Sequence, residues 1–120
     1  HPAIYCAGWQ DDVRPWFAAA DALAFPSYRE GFPNVVMQAG AMELPCVVSD
    51  INGCNEIIIE GENGLIIPPY DAAALYQAMK RMIEDKALYM HCQQNARSLI
   101  ASRYKQEDVW QATLEMYKEL

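Results

Sequence analysis

The sequence is short of positive charge. Nine lysines and arginines stand against sixteen aspartates and glutamates, and the formal net charge is −7. A surface of that sign repels nucleic acid and anionic membranes, so neither is expected as a broad-surface partner. Long apolar runs are missing as well, and none approaches the roughly 20 residues that a membrane span needs. No stretch reads as a secretory signal. These absences point to the cytoplasm, at most peripheral at the inner membrane face, with any membrane contact made by other parts of a longer protein. The four cysteines form no Cys-x-x-Cys pair, and neither of the two histidines sits at zinc spacing from one. No metal and no cofactor are therefore expected. Cys6 and Cys46 fall in strand-like apolar runs and read as buried free thiols; Cys54 lies in a loop and Cys92 on a helix. Internal repeats and low-complexity segments are absent.

What is present is globular. With 52% hydrophobic residues in 120, the chain can bury a core, and it is one domain at most. Short apolar runs at Ala3–Ala7, Ala22–Phe25, Cys46–Ser49 and Leu65–Ile67 read as four strands. Ile57–Ile59 is ambiguous between a helix end and a strand. Val13, Trp16, Phe17 and Ala20 recur at helical spacing after Asp11 and Asp12, either of which can cap a helix. On that periodicity Trp16 and Phe17 belong to the core. Asp71 is the expected N-cap of a helix whose apolar stripe is Ala72, Leu75, Tyr76, Met79 and Ile83. Further stripes run through Leu88, Cys92, Ala96, Leu99 and Ile100, and from Val109 to Leu120. The turn charges Glu60 and Glu62 read as solvated. Strands alternating with helices imply a Rossmann-like parallel α/β sheet flanked by helices. In such a sheet the loops at 8–11, 26–33 and 50–54 all leave at the carboxyl edge, where open α/β sheets bind ligands.

One stretch organises the chain: Ser27-Tyr28-Arg29-Glu30-Gly31-Phe32-Pro33-Asn34, running on into a helix expected over Asn34–Glu43, with Leu44-Pro45 as its stop. Pro33 suits a first helical turn, where its missing N–H leaves nothing unpaired. The helix terminus carries about half a positive charge and backbone amides suited to an anion. Glu30 stands beside it as a carboxylate for hydroxyl groups.

With its flanks, this stretch resembles the Glu-x7-Glu loop of the retaining glycosyltransferases of GT-B fold, family four. Gly8-Trp9-Gln10-Asp11-Asp12-Val13 is similar to that family's Gly-x-x-x-Asp-Val segment. Leu44 to Asp50, Asn52 to Ile58 and Gly61 to Leu65 fit in the same order. The resemblance implies the C-terminal, nucleotide-sugar-binding half of a two-domain enzyme. Such an enzyme moves a sugar from a nucleotide-sugar donor to an acceptor, with retention and without a metal, here in surface polysaccharide synthesis. It implies that residues 1–120 are a fragment, inactive alone, and that a missing N-terminal domain brings the acceptor. Carried over, Glu30 is the catalytic-site carboxylate on the donor sugar, and Gly8, Gly31, Phe32, Pro33, Asn34 and Val35 line the donor. The second glutamate of the signature falls on Gln38, one turn below Asn34. An amide oxygen still accepts from a ribose hydroxyl, but at roughly half the charge-assisted strength. Arg14 and Arg29 are the cations near the expected cleft. Trp9 is a loop residue open to a platform role, and Glu56 sits at the cleft edge.

Other readings stand beside this one. A non-catalytic nucleotide-sugar binding or interaction module fits Gln38 and the missing half. A GT-B sugar-nucleotide epimerase shares fold and donor but needs histidine and carboxylate bases not found here. A receiver-like signalling domain would use Asp11, Asp12 and Asp50, but lacks the matching Thr and Lys positions.

Overall fold

The computed structural model describes residues 3–8, 10–28 and 33–103. Their order is α1 (Arg14–Ala19), β1 (Leu23–Phe25), α2 (Asn34–Ala41), β2 (Cys46–Ser49), α3 (Cys54–Ile57), β3 (Gly64–Ile67), α4 (Ala72–Glu84) and α5 (Lys86–Arg103). The three strands form one sheet in the order β1-β2-β3, and both pairings are parallel. Leu23 faces Cys46, which in turn faces Gly64. This is the expected parallel layer.

The central strand explains the layering. All four β2 residues are buried, as expected for a parallel strand covered on both faces. Its side chains alternate. Cys46 and Val48 enter a core with Phe17, Val36, Met37, Ala39, Cys54, Ile57 and Ile100. Val47 enters a second core on the other face, with Leu65, Ile67, Ala78, Met82 and Cys92. Each fully buried aliphatic side chain contributes roughly 1.5–3 kcal/mol. Helix α5 serves both cores, through Cys92 in one and Ile100 in the other.

Polar side chains close the gaps. Asn63 is buried; its Nδ2 donates to the Ile57 carbonyl at 3.0 Å and its Oδ1 accepts from the Ile59 amide at 2.7 Å. Asp71 caps α4, accepting from the Ala74 amide at 2.8 Å as its sequence position implies. Asp12 accepts from the Arg14 amide at 3.0 Å, although Val13 holds the N-cap position of α1. Glu60 is more than a solvated charge: its Oε2 accepts from the Ile66 amide at 2.6 Å, on β3. Glu62 lies 3.2 Å from His91 Nε2.

Several expectations are corrected. Ala3–Ala7 forms no strand, and Cys6 is exposed rather than buried. An apolar run becomes a strand only when a neighbouring strand takes its backbone hydrogen bonds, and no described strand pairs with this one. Three strands are therefore present among the described residues, not four. Trp16 is 42% exposed and stacks on Tyr5, with ring centroids 6.3 Å apart; Phe17 alone takes the core position. Cys54 begins α3 and is buried, so it is no loop residue. Ile57 ends α3, which resolves the ambiguity there as a helix end. On α4 the buried residues are Ala78 and Met82, with Ala74 and Leu75 packed beside them. Tyr76, Met79 and Ile83 are exposed. The stripe from Val109 to Leu120 lies outside the described residues, whereas Cys92, Ala96 and Ile100 are buried as expected.

Helix α2 stops before Glu43. The Glu43 amide donates to the Gly40 carbonyl and the Leu44 amide to the Ala39 carbonyl, each at 3.0 Å. This is a Schellman closure with Glu43 in the left-handed region at φ 67°. Glycine normally holds that place, because a Cβ there costs about 1–2 kcal/mol. Glu43→Gly is expected to stabilise the full-length protein by about 1 kcal/mol. Thermal unfolding checks it, and an unchanged or lower Tm would contradict the assignment.

Candidate functional site

Because β1, β2 and β3 are parallel, the segments that follow them leave at one edge of the sheet. These are the loop beginning at Pro26, the loop beginning at Asp50 and the segment Pro68–Asp71. The 50–54 loop is braced by Asn55 Nδ2, which donates to Asp50 Oδ1 at 2.9 Å. Gly53 precedes α3 at φ 89°, a conformation that favours glycine.

The expected site residues divide. Glu30, Gly31 and Phe32 lie outside the described residues, as do Arg29 and Trp9. Pro33 is the N-cap of α2 and is buried, one place earlier than a first-turn proline. Its carbonyl accepts from the amides of Val36 at 3.1 Å and Met37 at 3.3 Å. Those two amides are therefore turned into the helix and not toward a ligand. Asn34 and Val35 open the helix and are half-buried. Gly8 has φ 73°, and a Cβ there would meet nothing within 4 Å.

Gln38 is exposed on the second turn of α2. It lines a cavity of about 480 Å³ whose other walls include Asp11, Asp12, Arg14, Phe17 and Met42. The structure thus brings the segment after Gly8 to the same cavity as Gln38. Arg14 is not loose within it. Its Nε donates to Asp12 Oδ1 and its Nη2 to Asp12 Oδ2, both at 2.9 Å. The Arg14 side-chain and backbone hydrogen bonds hold the Asp12 carboxyl down to about 2. Both residues are exposed, so the pair adds little stability. Among the described residues no group of three or more His, Cys, Asp or Glu could hold a metal ion. Burial pushes the Cys46 thiol up to about 12 and the Cys92 thiol to about 11, which leaves both protonated and unreactive. Glu56 is an exposed residue of α3.

A second cavity, of about 270 Å³, escaped the sequence reading. It lies at the carboxyl edge, lined by Pro26, Tyr28, Ser49, Pro68, Tyr70 and Asp71 among others. The Tyr28 and Tyr70 rings stack with centroids 4.3 Å apart and planes 12° from parallel. Pro68-Pro69-Tyr70-Asp71 immediately after a strand was the available signal.

The sequence matches the family described as Glycosyl transferases group 1 over residues 1–85. It is similar to the capsular polysaccharide biosynthesis glycosyltransferase CapM of Staphylococcus aureus, 28% identical over 117 residues, or 98% of this chain and 31% of that one. Among solved structures it is similar to Anabaena Alr3699/HepE in complex with UDP-glucose, at 25% identity and TM-score 0.79, covering 94% of this chain and 31% of that one. It is also similar to the C-terminal domain of a glycosyl transferase group 1 family protein (LpcC) of Francisella tularensis, at 25% identity and TM-score 0.75, covering 82% of this chain and 52% of that one. The chain spans about a third of the length of the curated relatives it matches. Its sheet and flanking helices are the C-terminal part of a GT-B fold, as the sequence led us to expect. Most of the sequence matches the family, and the fold agrees with it: the chain belongs to the glycosyl transferases group 1 family.

Proposed function

We propose that the full-length protein is a retaining, metal-independent glycosyltransferase that takes a sugar from a nucleotide-sugar donor, and that residues 1–120 are its donor-binding part. The observation that carries this reading is the cavity that Gln38 shares with the segment following Gly8. A ribose hydroxyl placed there donates to the Gln38 side-chain oxygen. Glu30 accepts from the donor sugar's hydroxyls, and Gly31, Phe32, Pro33, Asn34 and Val35 supply the backbone around the diphosphate. The Alr3699/HepE complex with UDP-glucose supports a nucleotide-sugar ligand. CapM supports a role in bacterial surface polysaccharide synthesis. No described helix is long and apolar enough to cross a membrane. The remaining part of the protein is needed to bring the acceptor to the donor, so residues 1–120 alone transfer no sugar. Transfer undiminished by a chelator checks metal independence.

Gln38 gives the direct test. Calorimetric titration of the full-length protein with UDP should show Gln38→Ala weakening binding about fivefold, for the loss of a neutral hydrogen bond worth about 1 kcal/mol. Gln38→Glu should tighten it, because a carboxylate makes the charge-assisted version of the same bond. If neither substitution changes the affinity, the cavity is not the nucleotide seat.

A further inference from the structure

We propose that the 270 Å³ cavity at the carboxyl edge is a second carbohydrate seat, which takes a neutral sugar ring of the acceptor. The inference rests on the glycosyltransferase reading and adds to it a site that the donor does not use.

Three observations carry it. First, Ser49 is only 1% exposed, yet it lines the cavity, and its hydroxyl has no hydrogen-bond partner among the described residues. That hydroxyl can donate to or accept from a ligand in the cavity. Second, Tyr28 and Tyr70 hold a stacked pair at the mouth while remaining 61% and 78% exposed. Tyr70 does so at φ 61°, a left-handed backbone that a bulky residue rarely adopts. Strain of that kind persists only where the surroundings impose it, and it gathers at ligand clamps. Third, the charge is wrong for a phosphate. Among the lining residues the charged one is Asp71, and the α4 terminus beside it is already capped by the Asp71 carboxylate.

The lining therefore presents flat aromatic and aliphatic surface with a few oxygen acceptors, the usual make-up of a small-molecule site. A pyranose matches it. Its C–H face lies on a tyrosine ring, and its hydroxyls reach Ser49 Oγ and the Asp71 oxygen not engaged by Ala74. No residue lines both this cavity and the one at Gln38, so a nucleotide there leaves this seat open. Tyr28 also stands two residues before Glu30 in the same loop of the sequence.

The test uses the full-length protein saturated with UDP and a panel of methyl pyranosides followed by saturation-transfer NMR. At least one methyl glycoside should receive saturation through its ring C–H protons. Tyr70→Gly should weaken that binding about tenfold while keeping or raising Tm, because glycine suits the left-handed backbone. Ser49→Ala should weaken it severalfold. The proposal is overturned if no glycoside is saturated, if UDP-glucose displaces the bound glycoside, or if Tyr70→Gly folds and binds as before. The underlying reading fails separately, through absent UDP binding in calorimetry while a glycoside is still held.

Discussion

Glu30→Ala in the full-length protein is expected to lower kcat/KM for sugar transfer about a hundredfold. The residue stands in the loop that joins Phe25, the end of β1, to Pro33, the N-cap of α2. Strand β1 is held in the sheet by β2, and α2 is held by the core through Val36, Met37 and Ala39. Both ends of the loop are thus fixed at the carboxyl edge, and the carboxylate between them is the group proposed to hold the donor sugar. A charged hydrogen bond lost at such a site costs on the order of 2–3 kcal/mol, which is about a hundredfold in rate. Glu30→Gln keeps an acceptor without the charge and should lose about tenfold. Steady-state kinetics with a nucleotide-sugar donor decide the matter, and a near wild-type value for the alanine variant would remove Glu30 from the site.

Gly64→Ala should cost more stability than a methyl added at Gly8, Gly40 or Gly61. Gly64 opens β3 and pairs with Cys46 on β2. A Cβ at Gly64 would overlap the Cys46 carbonyl oxygen, and it would come within 3.0 Å of the Cys46 carbonyl carbon and 3.1 Å of Ile58 Cγ2. A flexible side chain could turn aside, but a backbone carbonyl inside a ladder cannot. The strands must separate, and that breaks the central pairing of the sheet. Overpacking of this kind costs about 3 kcal/mol or more, a large part of the 5–15 kcal/mol that typically holds a domain together. The expected result is a Tm lower by on the order of 10 °C or loss of soluble protein. A variant melting with the wild type would mean that β2 and β3 are not paired in this register. At Gly40 the added methyl would meet the Ile100 side chain at 2.8 Å, which is milder because Ile100 Cγ1 and Cδ1 can move.

The parts of the fold legible in the sequence are those that local signals decide. The apolar run Cys46–Ser49 gives β2 with its observed ends, and Asp71 gives the observed cap of α4. The start of α2 follows from Pro33. What the sequence does not carry depends on neighbours. Helix α4 has apolar residues on two faces at the same period, and only packing against Leu65 and Ile67 selects Ala78 and Met82 over Met79 and Ile83. Ala3–Ala7 has the composition of a strand but no ladder partner among the described residues. At the candidate site, the helical period alone places Gln38 one turn into α2, but the cavity it shares with Asp12 and Arg14 depends on how α1 packs. The Tyr28–Tyr70 stack joins loops far apart in sequence and has no local signature.

Helix α5 governs how the molecule comes apart. Ile100 lies against α2 at Gly40, where there is no room for a Cβ, and Cys92 sits in the opposite layer. One rigid rod is therefore a shared wall of two cores that the sheet would otherwise separate. Fraying of α5 from either end would uncover apolar surface on one face, and its release would uncover both. The two layers accordingly open as a single cooperative unit, and amides on both faces of β2 should exchange with solvent at one common free energy.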